Sequence, residues 1–575
     1  MGERRLSGKQ GHWIGPVQGK RDLLESLKRR RLLQGLGLSA LASRSYALKV
    51  APANFTHGVA SGDPLTDRII LWTRVLPMTS GRRVEVTWQV AEDPGFSRVI
   101  TGGETGADAE SDYTVKVDAT GLVPGTDYFY RFSAQGQTSP VGRTKTLPTD
   151  GVAEFRMGVA SCSNYPQGFF NAYRHMADTD LDVVLHLGDY IYEYQEGRYA
   201  NEYALDVLKR NVEPTHEILV LEDYRSRYAL YRSDPDLQAV HQRHPFICVW
   251  DDHELTNDTW KDGAENHNQG EGDFSARLQA ARRAYHEWMP IRTHPDGDQG
   301  PIYRHFPIGD LADLIMLDTR VEGRDRGLSY SDDMIYRAEG SDASSPLNPD
   351  LPAFLAEKLN DPSRQLLGQG QEQWLSQMLK KSTGRGATWQ VLGQQVLMSK
   401  VGIPRIDPAA LEALDLPESE RGYIDLMQVL GAEGLPLNLD AWDGYPVSRD
   451  RVTAMLKETG ANTIALAGDT HNAWAFNLRD AKGQAIGVEI GAPSISSPGM
   501  EDYVPMTAQA LAGGLKATSP GLIDVDVTQR GWAEVVLTPR QMRSRWHFVS
   551  TVLDRRFTVT ATEEVVCLPG QRRFA

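Results

Sequence analysis

The chain has 575 residues, 40% hydrophobic and 24% charged, a globular composition that excludes collagen-like and disordered classes. Sixty-one basic against 76 acidic residues leave a net charge of −15, which argues against a general nucleic-acid coat, because that affinity needs Lys and Arg to neutralise phosphates. A phosphorylated substrate stays open, since a bound metal can supply positive charge locally. The three cysteines, Cys162, Cys248 and Cys567, cannot build a disulfide scaffold; a 248–567 bridge is open to an exported protein, although Cys248 reads as a small buried hydrophobe. No apolar run of about 18 residues predicts a transmembrane helix.

Residues 1–31 are polar and basic and end in Lys28-Arg29-Arg30-Arg31. A short apolar stretch from Leu32 to Ala42 and the small-x-small site Ser45-Tyr46-Ala47 follow. These are the three regions of a secretory signal over 1–47, and the arginine pair resembles the twin-arginine type. A periplasmic or extracellular location follows. A basic amphipathic helix of the mature protein is the other reading.

Residues 53–149 read as an all-β domain. Arg68–Val75 is β-rich, and Val84–Val90 and Thr114–Asp118 alternate apolar with polar. Leu122-Val-Pro-Gly-Thr126 is a turn before the aromatic strand Tyr128–Phe132. Short strands with turn signals predict a β-sandwich, and the Leu-x-Pro-Gly-Thr-x-Tyr-x-Tyr run resembles a fibronectin type III domain. From 150 to 560 apolar strands alternate with helical stretches, which predicts an α/β domain. The strands are Phe155–Ala160, Asp182–Leu187, Pro245–Trp250, Ala312–Leu317, Thr388–Leu392 and Thr463–Ala467. The helices include Phe169–Ala177, Ala276–Met289, Gln371–Lys380 and Arg449–Glu458. Segments 321–350 and 402–440 read as polar surface insertions.

Four of these strands end in metal-type ligands: Cys162; Asp189-Tyr190-Ile191-Tyr192; Asp251-Asp252-His253-Glu254 with Asn257 behind; and Asp469-Thr470-His471. In α/β sheets, ligands collect at the carboxyl ends of strands, so the four ends can converge on one site. Singly each is a turn or a helix cap. Asp189 is placed to bridge two metals. The Tyr192 phenolate and Cys162 thiolate suit ferric iron, because both lose a proton to bind. The oxygens of Asp252, Asn257 and Asp469 suit calcium, magnesium or manganese, and His471 offers nitrogen. Two metals clamping an attacking and a leaving oxygen are machinery for phosphoester hydrolysis. Arg320 reads as a salt-bridge residue or a phosphate contact, and Asn164 as a turn residue or a phosphate-orienting one.

The order Ser-Cys, Gly-Asp-Tyr-Ile-Tyr, Asp-Asp-His-Glu, Gly-Asp-Thr-His resembles the PhoD-like alkaline phosphatases and phosphodiesterases, within the calcineurin-like metallophosphoesterases. Phe55–Pro64, Leu317–Arg320, Trp442–Pro446 and Pro493–Gly499 resemble further segments of that family. The resemblance implies a metallophosphoesterase β-sandwich core flanked by helices, and an exported hydrolase of phosphate mono- or diesters. It implies ferric iron held by Cys162, Tyr192 and His471, with Asp189 bridging. Calcium would be held by Asp252 and Asp469, with Asn257. A hydroxide made acidic by iron would attack phosphorus in line, and His253 would contact a phosphoryl oxygen or protonate the leaving group; its other role is to orient Asp252. The twin-arginine machinery is the implied export partner, no specific nucleic-acid partner is expected, and a monomer is expected. A phospholipase D-like phosphodiesterase and a non-catalytic secreted binding protein are the rival readings.

Overall fold

The computed structural model describes residues 54–79, 81–293, 300–335, 350–406, 418–504 and 506–575. The signal expected over 1–47 lies outside them. Two large sheets face each other. The first has ten strands, with Phe155–Ala160, Val183–His186, Pro245–Cys248 and Val59–Gly62 running parallel at its centre. Three of these are buried along their whole length and the fourth, Phe155–Ala160, is buried except at Arg156. That is why the sequence shows continuous apolar runs here rather than alternation. The second sheet has seven strands, with Ala312–Met316, Trp389–Gly393, Thr463–Ala467 and Ala485–Gly491 parallel in that order.

One apolar cluster joins the inner faces of both sheets, for example Val159 and Leu185 with Val391 and Ile464. Indole N–H groups bridge them: Trp546 Nε1 donates to Gly491 O at 3.0 Å and Trp389 Nε1 to Thr538 O at 2.8 Å. The helix Phe274–Trp288 contributes Ala281, Ala284 and Tyr285 to this shared core. The helices Gly368–Gly384 and Pro446–Glu458 cover the other sheet through Leu375, Leu379, Val452 and Leu456. The result is an α/β molecule with a β-sandwich core flanked by helices.

The all-β unit ahead of it has its own core, built around Val86, Val90, Tyr128, Tyr130 and Phe132. Its five-stranded sheet carries the alternation seen in the sequence: Asp127–Ala134 buries every second residue. Its other strands, Val59–Gly62, Arg68–Arg74 and Thr114–Thr120, extend the ten-stranded sheet, because Val59–Gly62 pairs in parallel with Pro245–Cys248. Buried Asp63 accepts from Arg304 Nη2 at 2.8 Å and Arg292 N at 2.7 Å, which fastens the junction.

One open pairing is settled and one expectation is corrected. Cys248 and Cys567 do not pair; all three cysteines are free. Four strands lie between theirs in the sheet, about 24 Å at the usual strand spacing. The insertions are not simply surface. Leu328, Tyr330 and Met334 pack with Leu426, Leu430, Leu435 and Leu439 in a separate core. Their apolar residues are spread among polar ones, so averaged polarity hid them.

Candidate metal centre at the strand ends

The carboxyl ends of the parallel strands of both sheets open on one side of the sandwich. The chain turns sharply there. Cys162, Asp189, Asp469 and His471 all have left-handed backbone, with φ of 60°, 56°, 63° and 63°. For non-glycine residues this costs roughly 1–2 kcal/mol each and persists only where surroundings impose it. Gly188 has φ of 106°, and a Cβ there would sit 2.3 Å from Asp251 Cβ. Only glycine lets these two loops approach. Glu254 holds them from below: its carboxylate accepts from the backbone N–H groups of Asp189 (3.0 Å), Tyr190 (2.6 Å) and Asp251 (2.8 Å). Burial and the nearby Asp189 push Glu254 up to about 8.

Three groups of donors lie within 4.8 Å of one another: Cys162, Asp189 and His471; Asp189, Asp252 and His253; and Asp251, Asp252 and Asp469. Asp189 is common to the first two. Its Oδ2 accepts from Tyr192 Oη at 2.8 Å and lies 3.9 Å from His471 Nε2, while its buried Oδ1 has no hydrogen-bond partner. His471 Nδ1 lies 2.8 Å from Pro498 O, which fixes that nitrogen as the N–H and leaves Nε2 as the donor, the usual support of a metal-binding imidazole. Tyr192 Oη also reaches Ser497 Oγ at 2.8 Å. Burial, and after it Asp189, pushes both the Cys162 thiol and the Tyr192 phenol well above their ordinary range.

Asp252 accepts from His253 N at 3.0 Å and Asp258 N at 2.7 Å. Burial works against its charge, but Arg320 and His253 hold it below the usual carboxylate range. Asn257 Oδ1 accepts from Tyr194 Oη at 3.2 Å. Arg320 is fully buried; it binds Asp251 through Nε, Asp440 through Nη1 at 2.6 Å and Asp469 through Nη2 at 2.8 Å. Arg320 is therefore the salt-bridge residue of the two readings, buried rather than exposed, and its guanidinium is committed to carboxylates. Burial raises Asp469 to about 7 against the pull of Arg320, as expected where several carboxylates share one guanidinium. The orphaned Asp189 Oδ1, the oriented His471 Nε2 and this crowding of carboxylates fit a site for multivalent cations.

Asn164 is a turn residue: Nδ2 donates to Tyr199 O at 2.9 Å and Oδ1 accepts from Tyr231 Oη at 3.3 Å. Asp251 and Glu254 belong to the third strand-end motif, but their roles, as partner of Arg320 and as the tie between loops, show only in the fold. Glu193, Tyr199 and Asp440 escaped the sequence; Glu193 directly follows the Asp189–Tyr192 motif and was legible there as a carboxylate beside ligands. Tyr199, whose hydroxyl lies 3.1 Å from His471 Nδ1, and Asp440 come from loops without a motif.

The centre floors a cavity of about 470 Å³ that also exposes His253 and Asn257. Its lining also carries an apolar set, Leu328, Leu397, Leu437, Leu439, Trp474 and Met500. A two-sheet α/β sandwich with clustered carboxylates, imidazoles and a thiol at its strand ends fits a phosphoesterase. Residues 157–546 match the family profile "PhoD-like phosphatase" and residues 40–148 its N-terminal domain. The chain belongs to the PhoD-like phosphatase family. It is 35% identical over 518 residues to "Alkaline phosphatase D" of Bacillus subtilis (strain 168), covering 85% of this chain and 79% of that protein. It is similar to a solved structure titled "Structure of PhoD", with a TM-score of 0.73, 32% identity and 93% of each chain covered.

Proposed function

We propose that this phosphatase is an exported, metal-dependent hydrolase of phosphate mono- and diesters. The observation that carries the reading is the meeting of Cys162, Asp189 and His471 donors within 4.8 Å, with Tyr192 Oη 2.8 Å from Asp189. In this reading Cys162, Tyr192 and His471 would hold ferric iron, Asp252, Asn257 and Asp469 would hold calcium, and Asp189 would serve both. Such cations would neutralise phosphate charge and acidify the attacking water. The chain's own part is to hold that set rigid through Glu254 and Arg320, and to present His253 to a phosphoryl or leaving-group oxygen. Residues 53–149 and 150–560 are taken as the two domains, behind a twin-arginine leader over 1–47 handled by the twin-arginine machinery, and the protein is taken as a monomer.

The apolar lining favours one variant reading, a phospholipase D-like phosphodiesterase whose substrate has an apolar arm. Rates on a bis-aryl diester, a monoester and phosphatidylcholine separate the two. Elemental analysis with a visible spectrum of protein from an exporting host tests the metals. Iron with a charge-transfer band is expected; a colourless active enzyme holding only zinc overturns the assignment. Asp189→Ala should abolish turnover; unchanged turnover would favour the binding-protein reading.

A further inference from the structure

The carboxylate of Glu193 is fully buried, bonds to His253 and Asn257, which line the cavity, and belongs to none of the donor groups described above. Its Oε1 accepts from Asn257 N at 2.9 Å, Asn266 Nδ2 at 2.9 Å and Thr256 Oγ1 at 3.3 Å. Its Oε2 serves only His253 Nδ1, at 2.7 Å. The His253 ring has two further aromatic neighbours: the Tyr192 ring lies 4.3 Å from it, tilted, and the Tyr194 ring 5.3 Å, edge-on, centroid to centroid. Behind Glu193, Asn266 reaches Glu217 at 3.3 Å, and Glu217 pairs with Arg277 at 2.9 Å. One carboxylate thus ties the loop carrying Tyr192 to the loop carrying Asp252, His253 and Asn257. It also spends one oxygen wholly on a single imidazole nitrogen.

We propose that Glu193 is a positioning residue for phosphoester hydrolysis, fixing the ring orientation of His253 with Nδ1 as an N–H so that Nε2 is the nitrogen presented to the cavity. The proposal rests on the hydrolase reading above. A carboxylate accepts on both oxygens, which a carboxamide cannot do. In Glu193→Gln the three donors at Oε1 keep the amide oxygen. The amide NH2 then faces His253, and Nδ1 must become the acceptor. Turnover then meets the wrong tautomer while every candidate metal ligand is retained.

The experiment is a double-mutant cycle on the metal-loaded full chain with Glu193→Gln, His253→Ala and both together. It reads kcat and KM on bis(4-nitrophenyl) phosphate, bound metal per chain and thermal midpoint. Loss of a residue that orients a working group is expected to lower kcat about 10–100-fold. KM and metal content stay near wild type, and the double variant is no slower than His253→Ala alone. Glu193→Asp, which keeps the charge on a shorter arm, runs the same cycle if the glutamine variant does not fold, and its kcat should lie between wild type and His253→Ala. Multiplicative losses, or a kcat within twofold of wild type, overturn the proposal. A wild-type chain that does not cleave the diester refutes the hydrolase reading instead, and that arm is read separately.

Discussion

Gly188→Ala puts a single methyl group between the two loops that carry Asp189 and Asp251. The new Cβ would lie 2.3 Å from Asp251 Cβ and 2.4 Å from Asp251 N. Ordinary contact is about 3.5 Å, so the loops must part by about 1 Å. The native φ of 106° is also closed to alanine, so the turn itself must relax. Constellations of this kind need their groups held to roughly 0.5 Å, and a misplacement of about 1 Å can cost around 100-fold in rate. Overpacking should cost a further 1–3 kcal/mol of stability. Gly370→Ala is the control: it lies in the helix Gly368–Gly384, and its Cβ meets nothing within 4 Å, so it should be neutral or stabilise by up to about 1 kcal/mol. Kinetics on an aryl phosphodiester, bound metal per chain and thermal midpoints of both variants decide the matter. A Gly188→Ala protein with wild-type metal content and turnover would refute the claim that these loops must touch for the site to form.

Arg320→Met should destabilise the fold by about 3–5 kcal/mol, since it strands the Asp251 and Asp469 carboxylates that Arg320 binds; denaturant unfolding measures this, and a loss below 1 kcal/mol contradicts it. Chelation should abolish turnover and lower the thermal midpoint, and returning the metals should restore both if the strand-end residues bind them. At the far side of the sheet, burial opposes the charge of Glu534, but His547 at 3.0 Å and Arg545 at 2.7 Å outweigh it and hold it down at about 2. Its folded value lies below the ordinary one near 4.5, so its contribution is fully present above pH 4.5 and is lost as pH falls towards 2. The stability gap between wild type and Glu534→Gln should therefore be on the order of 3 kcal/mol near neutral pH and close as acid is added. A gap that does not change between pH 6 and 3 contradicts this reading.

The parallel core was legible because its strands are buried on both faces and read as unbroken apolar runs; Phe155–Ala160 and Thr463–Ala467 begin and end where the sequence places them. The centre was legible because its ligand types stand directly after those runs. What escaped was non-local. Val59–Gly62 finds its parallel partner in Pro245–Cys248, nearly 200 residues on, and nothing in either tetrapeptide announces the other. The antiparallel strands Arg530–Leu537 and Met542–Val549 complete the ten-stranded sheet without the strand-end chemistry that drew notice elsewhere. Asp440 gains its place only through Arg320 and Arg324, which bind it in the fold. The apolar lining formed by Leu328, Leu437 and Leu439 is scattered in sequence and coherent only in space.

Anomalous diffraction from crystals of natively exported protein, collected on both sides of the iron edge, tests the central claim most directly. The account predicts two cation peaks about 3.5–4 Å apart. One would be bound by Cys162, Tyr192 and His471 and vanish below the iron edge, the other would lie against Asp252 and Asp469, and Asp189 would touch both. Density showing those side chains with no shared cations, or zinc at every position, would contradict it.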